Sequence, residues 1–184
     1  YEEVIGEIKA QGTAGKKSAF VGGGPAGMAA AYFLGRAGAD VTIFEKEEKL
    51  GGVIRYVIPG FRISEEAIEK DVSLLTKLGV KIETNREIKD YNALKAEGYD
   101  AVIVAIGAGK PGTLKLEKGE AVNALHFLKE FKEKDGNVDL GKHVVVIGGG
   151  NTAMDTARAA VRTKGVEKVS LVYRRTKRYM PAAE

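Results

Sequence analysis

Two glycine-rich turns hold the residues best suited to chemistry. The first is Gly22-Gly23-Gly24-Pro25-Ala26-Gly27 and the second is Gly148-Gly149-Gly150-Asn151-Thr152-Ala153. Gly22-x-Gly24-x-x-Gly27 supplies three glycines with three jobs: a tight bend, close approach of the backbone to a pyrophosphate, and close packing of helix on strand. The helix that follows points unpaired N–H groups and a partial positive charge at the phosphates. Such a turn alone is a weak signal. Glu45 strengthens it, lying eighteen positions beyond Gly27 at the end of the next apolar run, because a carboxylate there can accept both hydroxyl hydrogens of a ribose.

The second turn, Gly148-x-Gly150-x-x-Ala153, has alanine in the packing position. Its next apolar run ends at Tyr173 and is followed by Arg174 and Arg175. A glutamate at such a strand tip repels a 2'-phosphate, whereas guanidinium groups make charge-assisted, often bidentate hydrogen bonds to it. The pattern predicts a nucleotide with free ribose hydroxyls at the first turn and NADP in preference to NAD at the second. Arg174, Arg175, Lys177 and Arg178 as a merely solvated basic edge is the plainer alternative. Glu45 does not by itself separate a flavin dinucleotide from NAD, since both carry a bare ribose.

The elements that would position these residues repeat at a domain-sized period. Each turn follows a short apolar run, "SAFV" from Ser18 and "HVVVI" from His143, that reads as a buried strand. Each is followed by a small-residue helix, Pro25 to Ala37 and Thr152 to Thr163, and then by a strand, Val41 to Glu45 and Val169 to Tyr173. Between the copies, Ser64 is placed to cap a helix with Glu65 and Glu66 in its first turn and Ile68, Val72, Leu75 and Leu78 on one face. "VKIET" from Val80 and "AVIVAIG" from Ala101 read as strands, with a short helix near Tyr91 to Glu97. Ala121 to Lys132 reads as another helix with Val122, Leu125 and Leu128 inward. Alternating strands and helices predict an α/β fold: two Rossmann-like units, each a parallel sheet covered on both faces, the second incomplete. The expected boundaries are an N-terminal extension (1–16), a first unit (17–110), a connecting segment (111–140) and the start of a second unit (141–184), with the loop from Gly107 to Gly112 as the crossing. The sequence stops soon after the second copy's second strand, which predicts a truncated module with a weakly supported last segment.

Bulk composition narrows the partners. The 184 residues carry 29 Lys and Arg against 25 acids, a net +4. From Lys142 onward nine basic residues meet three acids, giving +6 there and −2 over the preceding residues. With no nucleic-acid motif beside this basic end, a phosphorylated small molecule fits it better than DNA or RNA. The absence of cysteine excludes disulfides, a redox-active thiol pair and thiolate ligands for zinc or iron–sulfur clusters within these residues. The uncharged run from Ser18 to Gly35 is interrupted by "GGGP", which argues against a membrane span, and the acidic stretch Tyr1 to Ala10 is no signal peptide. A soluble, cytoplasmic chain is the expectation.

The stretches "VGGGPAGMAAAYFLGRAGADVTIFEKEEKLGGVIRYVIPGFRIS" and "VVVIGGGNTAMDTARAA", with "VYRR" and "MPA" beyond, resemble a known flavoprotein module. It is shared by the glutamate synthase small subunit, the N-terminal part of dihydropyrimidine dehydrogenase and a selenate reductase subunit, the last being the nearest in pattern. The resemblance runs over nearly the whole chain from Lys17 and implies FAD at the first turn and NADPH at the second. It implies that Gly24, Pro25 and Ala26 line the FAD pyrophosphate and that Glu45 holds its ribose. Leu50, Gly51, Gly52 and Val53 would lie near the flavin, Arg62 would meet a FAD phosphate or ribityl oxygen, Ile88 would sit by the adenine, and Gly107 would pass beside FAD. For NADPH it implies Asn151, Thr152 and Ala153 at the phosphates, with Lys168 and Arg174 as adenosine-phosphate partners and Arg175 beside them. The family's cysteine-rich cluster region, the rest of its NADPH unit and its returning flavin segment have no counterpart here, so hydride transfer by this chain alone is not expected.

No nucleophile with a base, and no metal-ligand spacing, stands out. His126 and His143 read as structural or surface groups, and Met28 and Met154 as packing. The favoured function is an NADPH-dependent flavoprotein module that passes electrons to iron–sulfur centres in another domain or subunit of its parent. The alternative is a dinucleotide-binding sensor or structural domain without catalysis.

Overall fold

The computed structural model describes residues 15–112 and 114–182. The expected N-terminal extension lies almost wholly outside them. The chain divides into two compact units. The first runs to Arg55 and resumes over Ser64–Gly109; the second takes Tyr56–Ile63 and everything from Lys110 onward.

The first unit is a four-stranded parallel sheet in the order β3-β2-β1-β4, with β1 Lys17–Val21, β2 Asp40–Phe44, β3 Lys81–Glu83 and β4 Ala101–Val104. The central strands β1 and β2 are nearly continuous apolar runs because both faces are covered. On one face Phe20, Val41 and Ile43 pack with Met28 and Ala31 of α1 (Pro25–Arg36) and Leu75 of α3 (Glu65–Lys77). On the other, Ala19, Val21 and Phe44 pack with Leu94 of α4 (Tyr91–Ala96). Each of the Phe, Ile, Val, Leu and Met side chains among these contributes about 1.5–3 kcal/mol by its burial. The Ser64 hydroxyl accepts the N–H of Ala67 at 3.2 Å, capping α3 as the sequence predicts. Of its four predicted inward residues, Ile68 and Leu75 are buried while Val72 and Leu78 pack at the margin of the core. A single helical turn, α2 (Val53–Tyr56), precedes α3.

In the second unit β5 (His143–Ile147) pairs in parallel with β6 (Lys168–Val172), joined by α6 (Asn151–Val161). Val144 and Val169 face an apolar cluster of Phe127, Leu128, Val138, Ala159 and Ala160. The opposite face leaves Val145, Ile147 and Val172 exposed, so this strand pair is covered on one side only. Helix α5 spans Ala124–Glu133, not Ala121 to Lys132. The Asn123 side chain accepts the N–H of Leu125 at 2.9 Å, and this cap starts the helix three residues later than periodicity suggested. Val122 is consequently outside the helix and 76% exposed rather than inward.

Residues 56–63 depart from the expected 17–110 boundary. Val57 packs on the second unit's apolar cluster, and the Lys132 ammonium donates to the Ile58 carbonyl at 2.9 Å. The Arg162 guanidinium lies 4.7 Å from the Phe61 ring centre. The last described segment, largely exposed, is tied down by two hydrogen bonds. The Tyr173 hydroxyl donates to the Tyr179 carbonyl at 2.9 Å, and the Ala182 N–H donates to the Gly149 carbonyl at 3.1 Å.

Candidate nucleotide-binding site

Both glycine turns are built by the same backbone device. The Gly22 N–H donates to the Phe44 carbonyl at 2.8 Å, and the Gly148 N–H donates to the Val172 carbonyl at 2.9 Å. Each turn is thereby tied to the last residue of the neighbouring strand, and the next residue along stands over the turn. In the first unit that residue is Glu45, 6% exposed. Its Oε2 accepts the Gly23 N–H at 2.7 Å and its Oε1 accepts the Glu47 N–H at 3.0 Å. A carboxylate oxygen has two lone pairs, so each oxygen keeps one for a hydroxyl. In the second unit the corresponding residue is Tyr173, so the arginines follow the station of Glu45 by one and two positions. The Tyr173 ring packs over Gly149, where an added Cβ would lie 2.7 Å from it. Arg174 and Arg175 are exposed, and neither makes a hydrogen bond or ion pair among the described residues.

The glycines themselves test whether a dinucleotide fits. Packing explains the first and third of the leading turn. A Cβ on Gly22, at φ +109°, would lie 2.4 Å from the Ala105 carbonyl oxygen, and one on Gly27 would lie 2.0 Å from that of Gly22. The second glycine is different. A Cβ on Gly24 meets nothing nearer than 3.9 Å, and one on Gly150 meets nothing within 4 Å. Gly24 and Gly150 cap α1 and α6 without any side-chain hydrogen bond to the first-turn N–H groups. The protein's own packing gives no reason for glycine there; close approach of a pyrophosphate does. In the second turn, a Cβ on Gly148 would lie 3.1 Å from that of Ala153. That closeness shows how little room is left around the alanine in the packing position.

Other predicted residues fall into three groups. Leu50, Gly51 and Gly52 form a loop against the first turn: the Gly51 N–H donates to the Gly23 carbonyl at 2.7 Å, and a Cβ on Gly52 would lie 2.9 Å from the Gly24 Cα. Val53, exposed, opens α2; Pro25, Ala26 and Gly27 form the first turn of α1, and Asn151, Thr152 and Ala153 that of α6. Ile88 packs beside Phe44 and Leu94, and Gly107 follows β4 in the exposed crossing loop. Two residues form the third group. Arg62 belongs to the second unit, where its Nε donates to Asp155 Oδ1 at 2.6 Å. Lys168 pairs in register with His143, at the end of the strand pair remote from Gly148.

Sequence reasoning missed Arg55, Asp155 and the place of Tyr173. Arg55 is 5% exposed inside the first unit, and Asp155 is 9% exposed on α6. The available signal for Arg55 was the pair Glu65 and Glu69, one helical turn apart and ready to face a single cation.

No helix among the described residues is long and apolar enough to cross a membrane. The sequence pattern of the family described as pyridine nucleotide-disulphide oxidoreductase matches residues 16–184. The chain is 47% identical over 167 residues to YgfK of Escherichia coli strain K12, covering 89% of this chain and 16% of that protein. It is 39% identical over 166 residues to the glutamate synthase [NADPH] small chain of Bacillus subtilis, covering 82% of this chain and 33% of that one. Among solved structures, a 2-naphthoyl-CoA reductase complex superposes with a TM-score of 0.68 at 30% identity, covering 91% of this chain and 24% of that chain. The chain therefore spans a third or less of the length of each.

Proposed function

The chain belongs to the pyridine nucleotide-disulphide oxidoreductase family, and we propose that it is an electron-entry module using FAD and NADPH within a larger cytoplasmic oxidoreductase. The family's name includes a disulphide, but these 184 residues contain no cysteine, so the chain's own contribution is to bind and orient two dinucleotides. The two cofactors would supply the chemistry, hydride transfer from nicotinamide to flavin and onward electron delivery to iron–sulfur centres of another domain or subunit.

The first unit's residues hold FAD. Gly24, Pro25 and Ala26 receive the pyrophosphate at the start of α1, where the free N–H groups and helix dipole favour negative charge. Glu45 accepts the ribose hydroxyls with its spare lone pairs, its carboxylate already aimed by Gly23 and Glu47. Leu50 to Val53 form the flavin-side wall, with Ile88 by the adenine and Gly107 where the chain leaves the sheet.

The second unit's residues hold NADPH. Asn151, Thr152 and Ala153 receive its pyrophosphate, and Arg174 with Arg175 binds the 2'-phosphate. Lys168 adds a positive charge at the far end of β6, acting at longer range. The observation that carries this reading is the pair of matched turns, each with open space beside the glycine of its helix cap, one overlooked by an acid and the other followed by two arginines that are unpaired among the described residues. The test is the absorption spectrum of the purified full-length protein, followed by mass identification of released nucleotide. Bound FAD that is bleached by NADPH is the expected result. A protein that takes up no flavin even after reconstitution would reject the proposal.

A further inference from the structure

The first unit buries one guanidinium that the nucleotide reading leaves without a task. Arg55, in α2, donates from Nε to the Leu50 carbonyl, pairs through one terminal nitrogen with Glu65, and through the other with Glu69 Oε1 at 3.0 Å. Its side chain is only 4% exposed, while Glu65 and Glu69 are half-exposed at the start of α3. Burying a cation is costly unless its donors are satisfied, and apolar residues of similar volume often serve stability as well. Stability alone is thus a poor reason for arginine here.

What Arg55 holds supplies a better one. Leu50 and Gly51 lie directly against the first glycine turn: a Cβ on Gly23 would run 2.2 Å from Leu50 Cδ2, and Gly51 donates to the Gly23 carbonyl. Gly52 backs onto Gly24, the residue whose open side receives the pyrophosphate. We propose that Arg55 is a positioning residue for the flavin dinucleotide. By clamping the Leu50 carbonyl to two carboxylates of α3, it fixes the Leu50–Gly52 loop against the turn and sets the width of the pyrophosphate cradle. A planar fork with donors in three directions can do this; a lysine, with one point of charge, cannot.

The inference rests on FAD occupying the first turn, and the experiment separates the two. Full-length protein stripped of flavin is titrated with FAD by fluorescence quenching, alongside NADPH titration and thermal unfolding, for wild type, Arg55→Met and the triple variant Arg55→Met, Glu65→Gln, Glu69→Gln. The triple variant removes the two carboxylates along with the cation that bridged them, leaving Lys49 without its contact to Glu65, and thermal unfolding shows whether each variant is folded before its FAD affinity is compared. The expected result is a Kd for FAD raised about tenfold or more in both variants, with NADPH affinity unchanged. A triple variant that binds FAD as the wild type does would show that Arg55 only neutralises the glutamates, and would overturn the positioning role. Wild type that binds no FAD would instead remove the flavin assignment itself.

Discussion

At the residue scale, the two kinds of glycine make opposite predictions. Gly22→Ala forces a side chain at φ +109° into the Ala105 carbonyl, so it should lower unfolding free energy by about 2 kcal/mol or more. Gly150→Ala enters open space and should change stability by less than about 0.5 kcal/mol, yet weaken NADPH binding about tenfold or more by occupying the phosphate approach. Chemical denaturation paired with NADPH titration checks both, and Gly150→Ala leaving NADPH affinity unchanged would contradict the site. Glu45→Ala strips the Gly23 N–H of its acceptor in a buried place, costing about 1–3 kcal/mol as well as FAD affinity. The turn glycines and Glu45 were legible in the sequence because their spacing is dictated by backbone geometry alone. Asp155 was not, since its partner Arg62 lies 93 positions away, and Arg55 was not, since the bend through Gly51 and Gly52 that turns it back to Leu50 and α3 leaves no periodic signal.

At the element scale, the starts of strands and helices after the glycine turns and at Ser64 were legible to within a residue, whereas β4 ends at Val104, three residues short of the glycine that closes its apolar run. The start of α5 was misplaced because Asn123 competes for the helix start with an apolar pattern that continues upstream. Lys168 was grouped with the cofactor residues by resemblance, but strand register puts it at the far end of β6. Gly149 and Tyr173 give a coupled test of how the second turn is closed. Gly149→Ala should destabilise by pushing on the Tyr173 ring, and Tyr173→Ala in the same chain should relieve that clash, giving less than additive loss in thermal unfolding. Asp100 offers a pH test at the edge of the sheet. Its carboxylate accepts the Lys17 N–H at 2.8 Å and the Lys16 ammonium at 3.4 Å, which hold its pKa below the ordinary aspartate range. A lowered folded pKa means stability present above the unfolded value, about 3.9, and lost as pH falls through the folded one. The Tm advantage of wild type over Asp100→Asn should therefore be small but measurable at neutral pH and vanish in acid.

Across the whole molecule, the charge divides as the chemistry does, with the net +6 confined to the residues from Lys142 onward. Raising salt should weaken NADPH binding markedly and FAD binding little, because only the former relies on exposed arginines, as paired titrations at two ionic strengths would show. The unit boundary was the least legible feature: residues 56–63 follow the first unit in sequence, yet their side chains pack with the second. Hydrophobic pattern identifies an apolar segment but not which core receives it. The central claim is that opposite charges at the two turns select two different ribose ends. Its most direct test is the ratio of NADPH to NADH affinity in an Arg174→Ala, Arg175→Ala variant of the full-length protein. Loss of charge-assisted bonds worth about 1.5–3 kcal/mol each should reduce that ratio at least about tenfold with NADH binding nearly intact; an unchanged ratio would contradict the claim.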